Sequence, residues 1–306
     1  MTLFLEQTLN GLQLGFTLMM VSAGLTLIFG IMNVINLAHG SLFMVGAFVA
    51  ADVADASGNY ALALGAGVAA ATVAGVVVEV VIVRRLYLRN HLDQVLATFG
   101  IVLIANQGMQ MIYGVRPTVL RQPAVLDRSV AVLPGVDYPV YRLAIIVAGM
   151  ASVIVLHLVI GRTRLGMWIR AGTTHRELLG VFGINVKLMY TLVFALGAAL
   201  AGFAGVVASP FLSVESGMGD NFLILSVVVI VIGGVGSLKG AVVGSIVLGL
   251  VDTWARTYLP GAFEHVVNDA STAATVGASV ASASIYVVMV VVLIVRPNGL
   301  FGTADV

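Results

Sequence analysis

The chain contains no cysteine and very little charge. Without cysteine there is neither a disulfide framework nor a thiolate metal site. Charged residues make up 9% of the 306 positions, against about 25% in average soluble chains. Hydrophobic residues reach 60%. A water-facing globule of this length cannot keep so much apolar surface inside, so most of the chain has lipid as its solvent. Fifteen basic residues nearly balance fourteen acidic ones, and no basic run is long enough to serve nucleic acid. The first residues, MTLFLEQ, lack the positive flank of a cleavable leader, so the first apolar segment is expected to be retained.

Catalytic signatures are equally scarce. No H-E-x-x-H or other metal spacing occurs. The serine of GGVGS has no histidine placed to activate it. GMGD, Gly217 to Asp220, matches the G-x-G-D of intramembrane aspartyl proteases. That chemistry needs a second, close intramembrane carboxylate, and Asp220 is expected in a loop. A Walker A phosphate loop is missing too: Lys239 sits in GSLKG, with no glycine directly before it and a glycine after it. The chain is therefore expected to be no enzyme, to carry no cofactor, and to draw any energy for uphill work from elsewhere.

What is present is a series of apolar runs. A membrane-crossing helix needs about 20 mostly apolar residues. The spans read as 8–30, 38–56, 60–84, 93–113, 142–160, 188–209, 221–235, 240–257 and 279–296. The fold class is thus an all-α polytopic membrane protein of eight to ten helices in one membrane domain, residues 1–306. Two stretches, 22–40 and the short 221–235, are interrupted by glycine and read as broken or re-entrant helices. Gly- and Ala-rich strings such as ALGAALAGFAG let helix backbones approach closely where no hydrophobic effect drives helix against helix.

Orientation follows from Lys and Arg, which favour cytoplasmic loops. Arg84, Arg85 and Arg89 share one loop, Arg162, Arg164, Arg170, Arg176 and Lys187 another, and Arg296 opens the C-terminal tail. Placing these and Lys239 inside gives an external N-terminus and a cytoplasmic C-terminus. The external stretch 114–141 holds four prolines, Pro117, Pro123, Pro134 and Pro139, and reads as an ordered loop rather than a helix. The external stretch 256–279 ends in the small-residue run ASTAATVGASVASAS and reads as a mobile loop.

The cytoplasmic stretch 161–187 is polar and basic. Within it Thr173, Thr174, His175, Arg176 and Glu177 open a helical pattern, Leu178, Leu179 and Phe182 give it an apolar side, and Gly183 ends it. A threonine before an acidic residue can cap a helix start. Two readings fit: a solvated loop with a chance cap, or a short helix that docks its apolar face into a partner's groove.

Polar groups inside the spans are costly and face an interior or an aqueous route. Asn33, Asn36 and His39 follow an i, i+3, i+6 spacing at the break between Gly30 and Gly40. If helical they form one stripe, and broken helices near the midplane are where transporters hold substrate. Asn106, Gln107 and Gln110 form a second group, with Asn106 and Gln110 on one face. For each group, hydrogen bonding between helices competes with lining of a translocation route. Asp252 with Arg256 reads as a local ion pair, and Glu79 either is neutralised by Arg84 a turn or so away or snorkels toward the interface.

Four stretches resemble, in order, signatures of the bacterial branched-chain amino acid permeases. They are GLTLIFGIMNVINLAHGSLFMVGAF, RAGTTHRELLGVFGINVKLMYTLVFALGAALAGFAGVV, GGVGSLKGAVVGS and the terminal RPNGLFG. The length, with no fused domain, is similar to the shorter H-type partner of the heterodimeric permease. The resemblance implies a bacterial inner-membrane permease subunit of an ATP-driven importer for branched-chain or hydrophobic amino acids or similar small solutes. It implies four kinds of company: a second, M-type permease subunit, two cytoplasmic ATPase subunits docked on the 161–187 loop, a periplasmic or extracellular binding protein, and the bilayer. The alternative is a self-sufficient channel or secondary transporter, which would need a titratable or ion-binding site of its own inside the membrane.

Overall fold

The computed structural model describes residues 2–133, 136–174, 183–265 and 269–302. Ten α-helices are described: α1 Thr2–Met32, α2 His39–Ser57, α3 Tyr60–Val81, α4 His91–Tyr113, α5 Val140–Arg162, α6 Arg164–Thr174, α7 Val186–Ala208, α8 Met218–Gly233, α9 Leu238–Glu264 and α10 Ala270–Val295. Among the described residues, eight helices are long and apolar enough to cross a membrane. The chain is a multi-pass, essentially all-α membrane protein. The 16-residue α8 is a ninth apolar helix. At 1.5 Å per residue it reaches about 24 Å, short of a hydrocarbon core about 30 Å thick, which is the shortness read at 221–235.

The contacts divide the chain into two compact units. One comprises Met20–Pro123 and Met150–Ser226. Its core is α2, α3 and α7 packed on one another. Glycine sets their spacing: a Cβ on Gly46 would stand 2.7 Å from the Gly202 backbone, and one on Gly67 would stand 2.5 Å from the Gly46 carbonyl. Such contacts exclude every side chain, and the helices gain dispersion contact along their full crossing. Three capping asparagines start helices here: Asn59 accepts from the Ala61 and Leu62 N–H groups, Asn90 from Asp93 N–H, and Asn185 from Leu188 N–H.

The closest approach in this unit joins two helix starts. A Cβ on Gly219, second residue of α8, would lie 1.9 Å from the Gly40 carbonyl oxygen. A Cβ on Gly40, second residue of α2, would lie 2.4 Å from the Gly219 carbonyl oxygen. Backbone meets backbone, so no rotamer relieves the clash. Gly219→Ala is expected to destabilise the protein by about 1–3 kcal/mol, the usual cost of forced overpacking. A lowered melting temperature in detergent checks this, and an unchanged one would contradict the crossing.

The other unit comprises Met1–Met19, Ala124–Gly149 and Val227–Val306. Its helices α9 and α10 pack along an i, i+4 row of α10, with Ala273, Ala281 and Ile285 all buried and Gly277 between them against Pro260. This corrects the reading of 256–279 as a mobile loop. The Ser, Thr and Ala content looks loop-like by composition, but every fourth residue is small, which is a helix-packing face. Asp269 caps α10, and hydrogen bonds from the Thr272 and Ser271 hydroxyls and from Thr272 N–H hold its carboxyl down to about 2. The part of 114–141 in this unit contains an antiparallel hairpin among its described residues, β1 Ser129–Leu133 with β2 Val136–Pro139. The proline-based reading saw only the turns and missed the alternating apolar residues beside them.

Candidate translocation site

The helix break read between Gly30 and Gly40 is where the structure concentrates buried polar groups. α1 stops because Asn33 takes φ 52, the only positive φ outside glycine among the described residues. Asparagine tolerates this left-handed region, and its N–H still bonds to Phe29 O at 2.8 Å, closing the helix. Residues 34–36 then run outside any helix, and Leu37 and Ala38 turn into α2. Val34, Asn36 and Ala38 are buried while Ile35 and Leu37 are less so, the alternation of a strand.

A lone extended segment leaves its N–H groups without a ladder partner. Helix α4 supplies one: Ile35 N–H donates to Gln94 Oε1 at 3.1 Å, and Leu37 N–H donates to Thr98 Oγ1 at 3.2 Å. The registers match because two extended residues advance about 6.6 Å and four helical residues about 6.0 Å. Gln94 also donates through Nε2 to the Leu86 and Arg89 carbonyls at 3.2 and 3.3 Å. One buried side chain thus ties the extended segment to the basic turn before α4.

The segment carries the chain back beside α1. His39 Nε2 lies 3.1 Å from Val21 O, 11 residues and about 16 Å of helix before Met32. Ala38 packs on Ile101 and Val102, the middle of the 23-residue α4. Helix α2 therefore starts half-way up α4 rather than at its end.

These contacts place the residues read from the sequence. Asn33, Asn36 and His39 do not form a helical stripe, since 33–38 is not helical. Asn33 is an exposed helix stop, whereas Asn36 and His39 are 1% and 0% exposed. Asn106 donates from Nδ2 to Asp220 Oδ2 at 3.0 Å, and its carbonyl accepts from Ser216 Oγ at 2.8 Å. Asp220 lies in the first turn of α8, not in a loop. Gln110 is half-buried near the far end of α4. Gln94 and Thr98 were missed, although they stand on the i, i+4 row that continues to Val102, Asn106 and Gln110.

Both ion pairs form. Arg84 donates from Nε and from an Nη to the two oxygens of buried Glu79, at 3.2 and 3.0 Å. Tyr87 OH and Thr191 Oγ1 also donate to Glu79. Burial and the Glu79 carboxylate push the Tyr87 phenol up, so it stays a donor. Arg256 Nε donates to both oxygens of Asp252 at 2.9 Å.

Of the coupling residues, Thr173 and Thr174 are the last two positions of α6, so they end a described helix instead of opening one. His175, Arg176, Glu177, Leu178, Leu179 and Phe182 lie outside the described residues. Gly183 takes φ 73, a conformation open to glycine, as its punctuating place requires.

A sequence model of the family described as branched-chain amino acid transport system, permease component, matches residues 7–295. The chain belongs to that family. The permease is 25% identical to the high-affinity branched-chain amino acid transport system permease protein LivH of Escherichia coli, over 99% of this chain and 97% of the relative. It is 26% identical to the corresponding protein BraD of Pseudomonas aeruginosa over the same shares. It is 25% identical to a probable LivH of Methanocaldococcus jannaschii, over 93% of this chain and 88% of the relative. No solved structure matches. The family match spans the α1–α2 break, the Gly40–Gly219 crossing and α9.

Proposed function

We propose that this permease is the H-type subunit of an ATP-driven importer that carries branched-chain or other hydrophobic amino acids across the bacterial inner membrane. The near full-length match to branched-chain permeases carries the reading. Its company is an M-type permease subunit, two cytoplasmic ATPase subunits and a periplasmic or extracellular binding protein. The N-terminus lies outside and the C-terminus inside, as the Lys and Arg bias directs. Asn36 and His39 border the route at the mid-height start of α2, with Asn33 at its inner end and Asn106 and Gln110 farther along α4. Broken helices at mid-depth are the usual place for such a route.

Reconstitution tests this directly. Proteoliposomes holding the four kinds of subunit are expected to take up radiolabelled L-leucine only with ATP and binding protein. Uptake by this chain alone, driven by an ion gradient, would establish the secondary-transporter reading instead. Single cysteines are clean topology probes in a cysteine-free chain. Labelling from outside is expected at Leu3→Cys and absent at Asp305→Cys, and the reverse would overturn the orientation.

A further inference from the structure

Helix α2 differs from its neighbours at its first turn. Helices α3, α4, α7, α9 and α10 each begin with an Asn, Ser or Asp side chain accepting a first-turn N–H. The residue before α2 is Ala38, with no side-chain cap. Of the N–H groups at this start, those of Ala38, His39 and Ser41 bond to Asn36 Oδ1, Asn36 O and Ala38 O, so what the start adds is chiefly its positive dipole end. Here that start is buried instead of facing water, with Ala38, His39 and Ser41 at 4% exposure or less and Gly40 buried among them.

Three buried side chains around this turn have polar atoms without a partner. Asn36 accepts from Ala38 N–H through Oδ1 at 3.1 Å, which fixes its amide over the start of α2. Its Nδ2, a donor, meets nothing. Ser41 Oγ, in the first turn itself, also has no partner. His39 Nε2 faces the Val21 carbonyl and must donate there. In the neutral ring that makes Nδ1 an acceptor, and it too is unpartnered. Orphaned buried polar atoms are rare in folded proteins and ask for an occupant.

The chemistry of the set defines that occupant. Asn36 Nδ2 and Ser41 Oγ–H offer donors to an anionic oxygen at the positive dipole end of α2. His39 Nδ1 offers an acceptor beside them. At the same crossing Gly219 brings the first turn of α8 and with it the Asp220 carboxylate. A negative charge there opposes a simple anion and favours a solute that carries its own ammonium.

We infer that the first turn of α2, with Asn36 and Ser41, is the subsite for the α-carboxylate of a zwitterionic amino acid in transit, and that His39 Nδ1 accepts from its ammonium group. The inference rests on the importer reading and names the atoms by which this subunit, apart from its binding protein, reads the solute.

The test uses the complete transporter and a single Ser41→Cys substitution, with label read on this subunit alone, which holds no other thiol. Methanethiosulfonate labelling is followed during turnover with L-leucine or L-leucinamide, which lacks the carboxylate. L-leucine is expected to slow labelling at least fivefold, and leucinamide less than twofold. Equal protection by both overturns the inference, as does protection by neither. A thiol that no reagent reaches in any state, turnover included, overturns it as well. Asn36→Asp, which sets a carboxylate in place of the donor amide, is expected to cut L-leucine uptake at least tenfold, and wild-type uptake by it would contradict the proposal. Wild-type uptake is scored first. A complex that imports leucine but shows no selective protection loses the subsite alone, whereas a complex that imports none loses the substrate reading, and the labelling comparison is still scored.

Discussion

Gln94→Leu is expected to destabilise the protein by about 1–3 kcal/mol and to abolish most uptake. Its volume fits the site, so the loss is one of hydrogen bonds. Between membrane helices such bonds average only about 0.6 kcal/mol, because separated helices find other partners. Gln94 is different. It serves Ile35 N–H, which belongs to no helix and has no ladder, and the Leu86 and Arg89 carbonyls in a turn. Of these groups the Leu86 carbonyl keeps the Arg89 N–H and Arg89 is exposed, so the loss falls on Ile35 N–H, which costs about 1–3 kcal/mol when left unpaired, since non-helical backbone survives at membrane depth only where protein or water satisfies it. Removing the amide frees the extended segment, and with it the position at which α2 begins. Gln94→Glu still accepts from Ile35 N–H but donates less, so it is expected to fall between wild type and Gln94→Leu. Thermal melting in detergent and leucine uptake in proteoliposomes measure both effects. A Gln94→Leu protein with wild-type values of each would show that the segment holds itself in place.

This anchor shows what the sequence made readable. Span positions follow from runs of apolar residues, because lipid enforces both length and composition; eight of the nine runs became helices long enough to cross, and the ninth became the short α8. The break before α2 was also legible, from Asn33 and the flanking glycines. Its form was not. Nothing local in NVINLA states that it leaves the helix and runs back beside α1, because its partners, Gln94 and Thr98, lie about sixty residues on. Periodicity on α4 was the available clue: the polar row visible at Asn106 and Gln110 extends back to them, but a threonine and a glutamine near a helix start read as ordinary interface residues. The 256–279 stretch failed for the opposite reason. Its composition resembles a loop, and only the spacing of Ala273, Gly277 and Ala281 marks it as a packed helix. The Gly40–Gly219 crossing could not be seen in sequence at all, since a glycine gives no sign of which distant backbone it admits.

Leu179→Asp is expected to abolish ATP-dependent uptake and to release the ATPase subunits. The stretch 161–187 is the longest basic segment assigned to the cytoplasm, and it carries the pattern Arg176, Glu177, Leu178, Leu179, Phe182. On either side the structure supplies firm ends: helix α6 finishes at Thr174, and beyond the Gly183 turn Asn185 caps α7 through Leu188 N–H. Helix α7 is in turn latched to α3, because Thr191 donates to the same buried Glu79 that holds Arg84 and Tyr87. In the proposed coupling, a push delivered between Thr174 and Gly183 would pass to α7 and, through Glu79, to α3. An apolar anchor desolvated in a partner's groove outweighs charges at its rim, so a carboxylate at Leu179 is expected to cost at least 2 kcal/mol of docking, roughly thirtyfold in affinity. Arg164→Ala, an exposed position at the start of α6, is expected to change docking less than twofold. Co-purification of the ATPase and substrate-stimulated ATP hydrolysis in proteoliposomes measure the two variants side by side. If Leu179→Asp keeps both at wild-type levels, coupling enters this subunit at another place, and the α7–Glu79 connection transmits nothing from this segment.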